Sequence, residues 1–122
     1  KWWLLTNIAS RGNEDYNSQL MAFYGTDPFT DEWIAHDQNP LAFDSAIGRN
    51  GGLLTVEGGL PIRARQKQGF DTYGVGLTLA KITELTPSSF REQAIGQITP
   101  DFFPKLRGCH HIHSNGGMTV YD

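Results

Sequence analysis

A chain of 122 residues is long enough for one modest core, and 39% hydrophobic with 19% charged residues is the balance of an ordinary globular domain. A net charge of −3 and a pI near 5.7, with no basic run and no aromatic–basic interleaving, exclude the electrostatic footprint of a nucleic-acid binder. Cys109 is the only cysteine, which excludes an intrachain disulfide, and the apolar run 1–5 is far too short for a signal or membrane segment.

In chain order, residues 1–6 read as a strand, with Trp2 and Leu4 on one face and Trp3 and Leu5 on the other. Apolar residues on both faces predict burial on both sides. The chain opens without Met inside this run and ends at Asp122 directly after another, so a fragment of a longer protein is expected, and localisation stays open. Residues 7–17 are polar and read as a loop, and 18–24 resume a strand. The stretch Gly25-Thr-Asp-Pro-Phe-Thr-Asp turns the chain before Trp33-Ile-Ala-His36, and Asn39-Pro40 is a further turn signal.

Four runs rich in Val, Ile, Leu and Thr follow, at 49–56, 59–66, 73–82 and 89–97, each closed by Gly, Pro, Asp or Ser. Glu57-Gly-Gly between the first two predicts a tight hairpin, because Gly takes the positive φ that a two-residue turn needs. The spacing fits a four-stranded antiparallel meander, the unit of a β-propeller blade. Ser89-x-x-Glu92 also reads as a capping box that would start a helix; the β-rich context favours a strand. A Pro-punctuated connection at 99–108 precedes Cys109-His-His-Ile-His-Ser and Met118-Thr-Val-Tyr-Asp, which form a hairpin around Asn115-Gly-Gly. The fold class predicted is all-β, in antiparallel meanders.

A weak internal repeat supports propeller-like construction: Lys1-Trp-Trp-Leu-Leu-Thr, Leu53-Leu-Thr-Val-Glu-Gly-Gly-Leu-Pro-Ile-Arg and Gly117-Met-Thr-Val-Tyr-Asp fall at comparable points of successive strand groups. The order of Trp-Trp-Leu, Asp-Pro-Phe-x-x-x-Trp-x-x-His-x-x-Asn-Pro, Gly-Arg-x-Gly-Gly, Arg63-Ala-Arg-Gln66, Tyr73-Gly and Gly108-x-His-His resembles the C-terminal half of a five-bladed propeller family. That family is similar to the N-terminal domain of glucosamine inositolphosphorylceramide transferases and, more distantly, to five-bladed glycoside hydrolases of the arabinanase and levansucrase kind. The resemblance implies about two blades of a partial propeller in one domain over 1–122: an incomplete blade at 1–35, a complete one at 46–98 and the start of a third at 108–122. Two motifs depart from the usual pattern. Arg49-Asn-Gly-Gly stands for Arg-Pro-Ala-Gly, and Ile62-Arg-Ala-Arg-Gln66 for Tyr-Arg-Pro-Ala-Gln. In the glycosidase relatives the catalytic carboxylates lie on early blades, to which this chain has no counterpart.

Glycosidic catalysis needs two carboxyl groups roughly 5–10 Å apart. Asp44, Glu57, Asp71, Glu84 and Glu92 are the candidates, but none sits in a catalytic motif and most flank turns. Arg49, Arg63 and Gln66 allow two readings. On an inner strand an Arg binds sugar hydroxyls, a carboxylate or a phosphate; as a structural element it cross-links blades through carbonyls or buried acids. His111 and His113 share one face of a strand, while His110 points away with Ile112. The pair is a candidate Zn²⁺ chelate with His36 or an acid as a further ligand, or else a set of imidazoles bonded to neighbouring strands or water. Cys109 reads as a small buried residue. Trp2, Trp3, Trp33, Tyr24 and Tyr73 read mainly as packing between blades, with stacking on sugar rings as the alternative. No nucleophile elbow and no phosphate-cradling loop is present despite 14 glycines.

Two function classes follow. The first is a carbohydrate-active or carbohydrate-binding propeller domain without independent catalysis and without a cofactor, its pocket lined by Arg49, Arg63, Gln66, His110 and His111. The second is a structural or interaction module that keeps only the fold. Open blade edges carrying Trp2, Trp3, Leu4 and Leu5 on one side and Ile112, Met118 and Val120 on the other predict a homodimer.

Overall fold

The structure, a computed structural model, describes residues 1–9, 12, 15–68 and 73–122. It is all-β apart from one 3-10 turn at Pro100–Phe102. Among the described residues no helix is long and apolar enough to cross a membrane.

The first sheet has four strands. β1 (Trp2–Thr6) pairs antiparallel with β2 (Gln19–Gly25), from Trp2 opposite Gly25 to Thr6 opposite Met21. The two-residue strands β3 (Ile34–Ala35) and β4 (Ala42–Phe43) then pair with successive parts of β2. Asn39 fastens the return, its side chain accepting from Ala22 N at 2.9 Å and donating to Ala22 O at 2.7 Å. Only one side-chain face of β1 packs against the rest of the chain. Trp3 lies against Tyr24 and His36, whereas Trp2 (55% exposed) and Leu4 (42%) face outward. The expectation of burial on both faces of residues 1–6 is therefore corrected.

The second sheet contains the expected meander: β5 (Asn50–Leu54), β6 (Ile62–Lys67), β7 (Gly76–Leu85) and β8 (Phe90–Ile98), each antiparallel to the next. The β5–β6 connection is wider than the tight hairpin predicted at Glu57-Gly-Gly. Leu54 and Ile62 are the last pair, and Thr55 turns aside, giving both its N–H (3.1 Å) and its hydroxyl (2.9 Å) to Ser114 O. The capping-box alternative at Ser89 does not form. Ser89 closes a turn with Thr86 through N–H to Oγ1 (3.0 Å) and Thr86 N–H to Ser89 O (2.9 Å), and Glu92 is drawn into the sheet face by arginines of β6.

β9 (Ile112–Asn115) and β10 (Met118–Tyr121) form the expected hairpin, turning at Gly116 and Gly117, both with positive φ. β9 then joins β5 in parallel through Leu54 opposite Ser114, a pairing with no local signal, and extends the sheet to β10-β9-β5-β6-β7-β8. Gly52 permits this approach. Its φ is +113°, and a Cβ there would sit 1.9 Å from Ile112 O.

A small core of Ala64, Leu77 and Cys109, flanked by Leu79, Ile98 and Ile112, lies on one face of this sheet. The first sheet is tied to the second by polar bonds. Asn7 donates to Gln19 O (2.7 Å) and Gly48 O (2.9 Å) and accepts from Asn50 N (3.1 Å), and Asn50 donates to Leu5 O (3.0 Å).

Candidate functional site

The topology gathers polar side chains at one end of the second sheet. β5 and β7 are each antiparallel to β6, and β9 runs parallel to β5, so β5, β7 and β9 all begin at that end. Arg49, Tyr73 and His110 are the residues that lead into those three strands, and Asp122 follows the end of antiparallel β10.

There Tyr73, 57% exposed as a residue, packs its ring on the His110 imidazole, with centroids 4.8 Å apart and planes tilted by 34°. The Arg49 guanidinium donates through Nη2 to the Tyr73 hydroxyl at 2.7 Å and lies 5.0 Å from the ring centre. Its Nη1 donates to Asn17 Oδ1, which also accepts from Gln68 Nε2 at 3.3 Å. His110 is held on three sides. Its backbone N–H donates to Asp122 Oδ1 (3.1 Å), its carbonyl accepts from Gln66 Nε2 (3.0 Å), and Asp122 Oδ1 stands 3.8 Å from its Nδ1. Gly74, at φ +69°, leaves room for the ring, since a Cβ there would meet His110 Nε2 at 2.1 Å.

Between β6 and β8 lies a buried charge network. Arg63 is fully buried, donating to both carboxylate oxygens of Glu92 (Nε to Oε2, 2.9 Å; Nη2 to Oε1, 2.6 Å), to Asn50 Oδ1 (3.0 Å) and to Ile47 O (2.7 Å). Arg65 adds a second guanidinium to the same acid, Nη2 to Oε1 at 2.8 Å, and its Nε has no partner. Burial pushes the Arg65 pKa below its usual value and neighbouring Arg63 adds to the fall; Glu92 pulls the other way.

Of the five residues expected to line a pocket, Arg49 and His110 meet at the Tyr73 surface. Arg63 and Gln66 are enclosed on opposite faces of β6: Arg63 reaches Ile47, two residues before Arg49, and Gln66 holds the His110 carbonyl. His111 is elsewhere, in an open cleft with His113, Leu5, Asn50, Gly52 and Leu53. Among the described residues no three His, Cys, Asp or Glu side chains gather as a metal site; His36 is buried beside Trp3 with Nδ1 accepting from Gln38 N.

The candidate carboxylates are dispersed. Glu92 is locked by two arginines, Glu84 pairs with Arg91 at 3.1 Å, Asp44 caps the turn to Ala46 at 2.8 Å, Glu57 is exposed, and Asp71 lies outside the described residues. Cys109 is buried; desolvation first, then the charge of Asp122, pushes its thiol pKa up, against a backbone hydrogen bond from His111.

Asn17, Gln68 and Asp122 escaped the sequence reading, and Tyr73 was read there mainly as packing. Asn17, Gln68 and Tyr73 lie far along the chain from their partners, so only the fold brings them together, whereas Asp122 meets His110 across the β9–β10 hairpin. The one local signal was Arg49, whose forked donors need acceptors somewhere.

These observations define an all-β domain with a polar, aromatic-centred surface at one sheet end. The family model described as glucosamine inositolphosphorylceramide transferase 1, N-terminal, matches residues 1–101, and the chain belongs to this family. No curated protein and no solved structure matches it.

Proposed function

We propose that the chain is a carbohydrate-recognition unit, part of a five-bladed propeller, without glycosidic catalysis of its own. The observation that carries this reading is the exposed Tyr73 ring set between Arg49 and His110, with Asn17, Gln68 and Asp122 around it. An aromatic face takes the C–H side of a sugar ring, and forked or amide donors and a carboxylate take its hydroxyls. Arg63 and Gln66 act as supports that fix the approach of Arg49 and the carbonyl of His110. A four-stranded antiparallel meander is the unit of a propeller blade, and the β5–β8 meander supports that reading. Membership of a family named for a glucosamine inositolphosphorylceramide transferase makes glucosamine and inositol phosphate the first ligands to try.

Titration of labelled protein with these two compounds, followed by NMR, tests the reading. Resonances of Tyr73, Arg49 and His110 should shift, and Tyr73→Ala should weaken binding about tenfold, the worth of one aromatic contact. A second reading, a non-catalytic interaction module, is favoured by the Arg63–Glu92–Arg65 network, which serves cohesion within the second sheet rather than a ligand. Shifts confined to other faces, or no shifts with a panel of sugars, would decide for it.

A further inference from the structure

We infer that His111 and His113 form a two-imidazole chelate for a borderline transition-metal ion, Cu²⁺ above all, on the face of β9 away from the Tyr73 surface. The two rings are exposed, nearly parallel at 19°, and their centroids are 6.4 Å apart, as the two-residue repeat of an extended strand dictates. Both line the same open cleft, whose other residues are Leu5, Asn50, Gly52 and Leu53. Bonds of about 2.0–2.1 Å to one ion need the two nitrogens about 2.9 Å apart in the tetragonal geometry of Cu²⁺ and about 3.3 Å in a tetrahedral one. Exposed rings reach that by turning about their side-chain torsions, without a change of backbone.

The surroundings select the class of metal. Asn50 is committed to Arg63 and to Leu5 O, so it brings no oxygen ligand. Asp122 donates its backbone N–H to His111 O, but its carboxylate is turned to His110. Across the hairpin His113 faces Val120, which cannot ligate. Two neutral nitrogens and no carboxylate disfavour Ca²⁺ and Mg²⁺, which demand oxygen, and favour ions that imidazole suits, with Cu²⁺ first in the order of affinity. Among the described residues no third side chain joins them, so the remaining positions belong to water or to a donor atom brought by a bound molecule.

Calorimetric titration of untagged full chain with Cu²⁺, and separately with Zn²⁺, should give one equivalent per chain, tighter for Cu²⁺. His111→Gln and His113→Gln should each weaken binding about tenfold, and the double variant should abolish it. In parallel, Cu²⁺ should broaden the imidazole NMR signals of His111 and His113 ahead of those of His36 and His110. Unchanged stoichiometry and affinity in the double variant, or prior broadening of other histidines, would overturn the assignment, as would the absence of any uptake.

Discussion

Glu92 sits at 8% side-chain exposure between two guanidinium groups, and it satisfies Arg63 bidentately while holding Arg65 through a single oxygen. One carboxylate thus faces two guanidinium groups, and the acid is what makes their approach tolerable in the interior. Glu92→Gln should therefore destabilise the fold by about 3–5 kcal/mol, the cost of stranding a buried charge. The exposed pair of Glu84 and Arg91 is a control of the same chemistry in water: Glu84→Gln should cost less than about 1 kcal/mol. Urea denaturation of both variants measures the contrast, and equal losses would mean that the buried network contributes nothing special.

At the scale of elements, the β5–β9 junction is the weakest seam of the second sheet, with one paired position, Leu54 opposite Ser114, reinforced by Thr55. β7 and β8, by contrast, pair along nearly their whole length. Gly52 sits at the seam in a left-handed conformation with Ile112 O where a Cβ would be. Gly52→Ala is expected to cost roughly 1–3 kcal/mol of local strain. Amide exchange should then quicken in β9 and β10 while β7 and β8 keep their protection. Uniform acceleration through both hairpins would show that the seam is not a separate unit of stability.

For the whole molecule, the outer strands set the expectation. Among the described residues β1 and the two-residue strands β3 and β4 bound the first sheet and β8 and β10 the second, and all four residues of β10 are exposed, including Met118 (70%) and Val120 (56%). Trp2 and Leu4 add apolar surface on β1, although Trp3, Leu5 and Ile112 are half-buried within the chain. An apolar edge strand invites pairing with another chain, and we propose a second copy of this one as that partner. Light scattering at micromolar concentration should give a dimer, and Val120→Lys should shift it to monomer. A wild-type monomer that stays monomeric on concentration would rule this out.

The sequence by itself determined the class and the strand pattern, because period-two alternation and Gly, Pro or Asn punctuation are local signals: the meander β5–β8 and the hairpin β9–β10 were legible from them. It also marked Arg49 and His110, through residue types that need partners. Only the tertiary structure decided which partners. Whether Arg63 faces a ligand or Glu92 depends on register across β6, β7 and β8, and the meeting of Asn17, Arg49, Tyr73 and His110 depends on the parallel course of β5, β7 and β9. The outward face of β1 and the wide β5–β6 loop were equally hidden, since what covers a sheet face and the competition of Ser114 for Thr55 are decided by tertiary packing and strand order. Strand order is set by contacts between residues far apart in the chain, and these leave no periodic trace within a single segment.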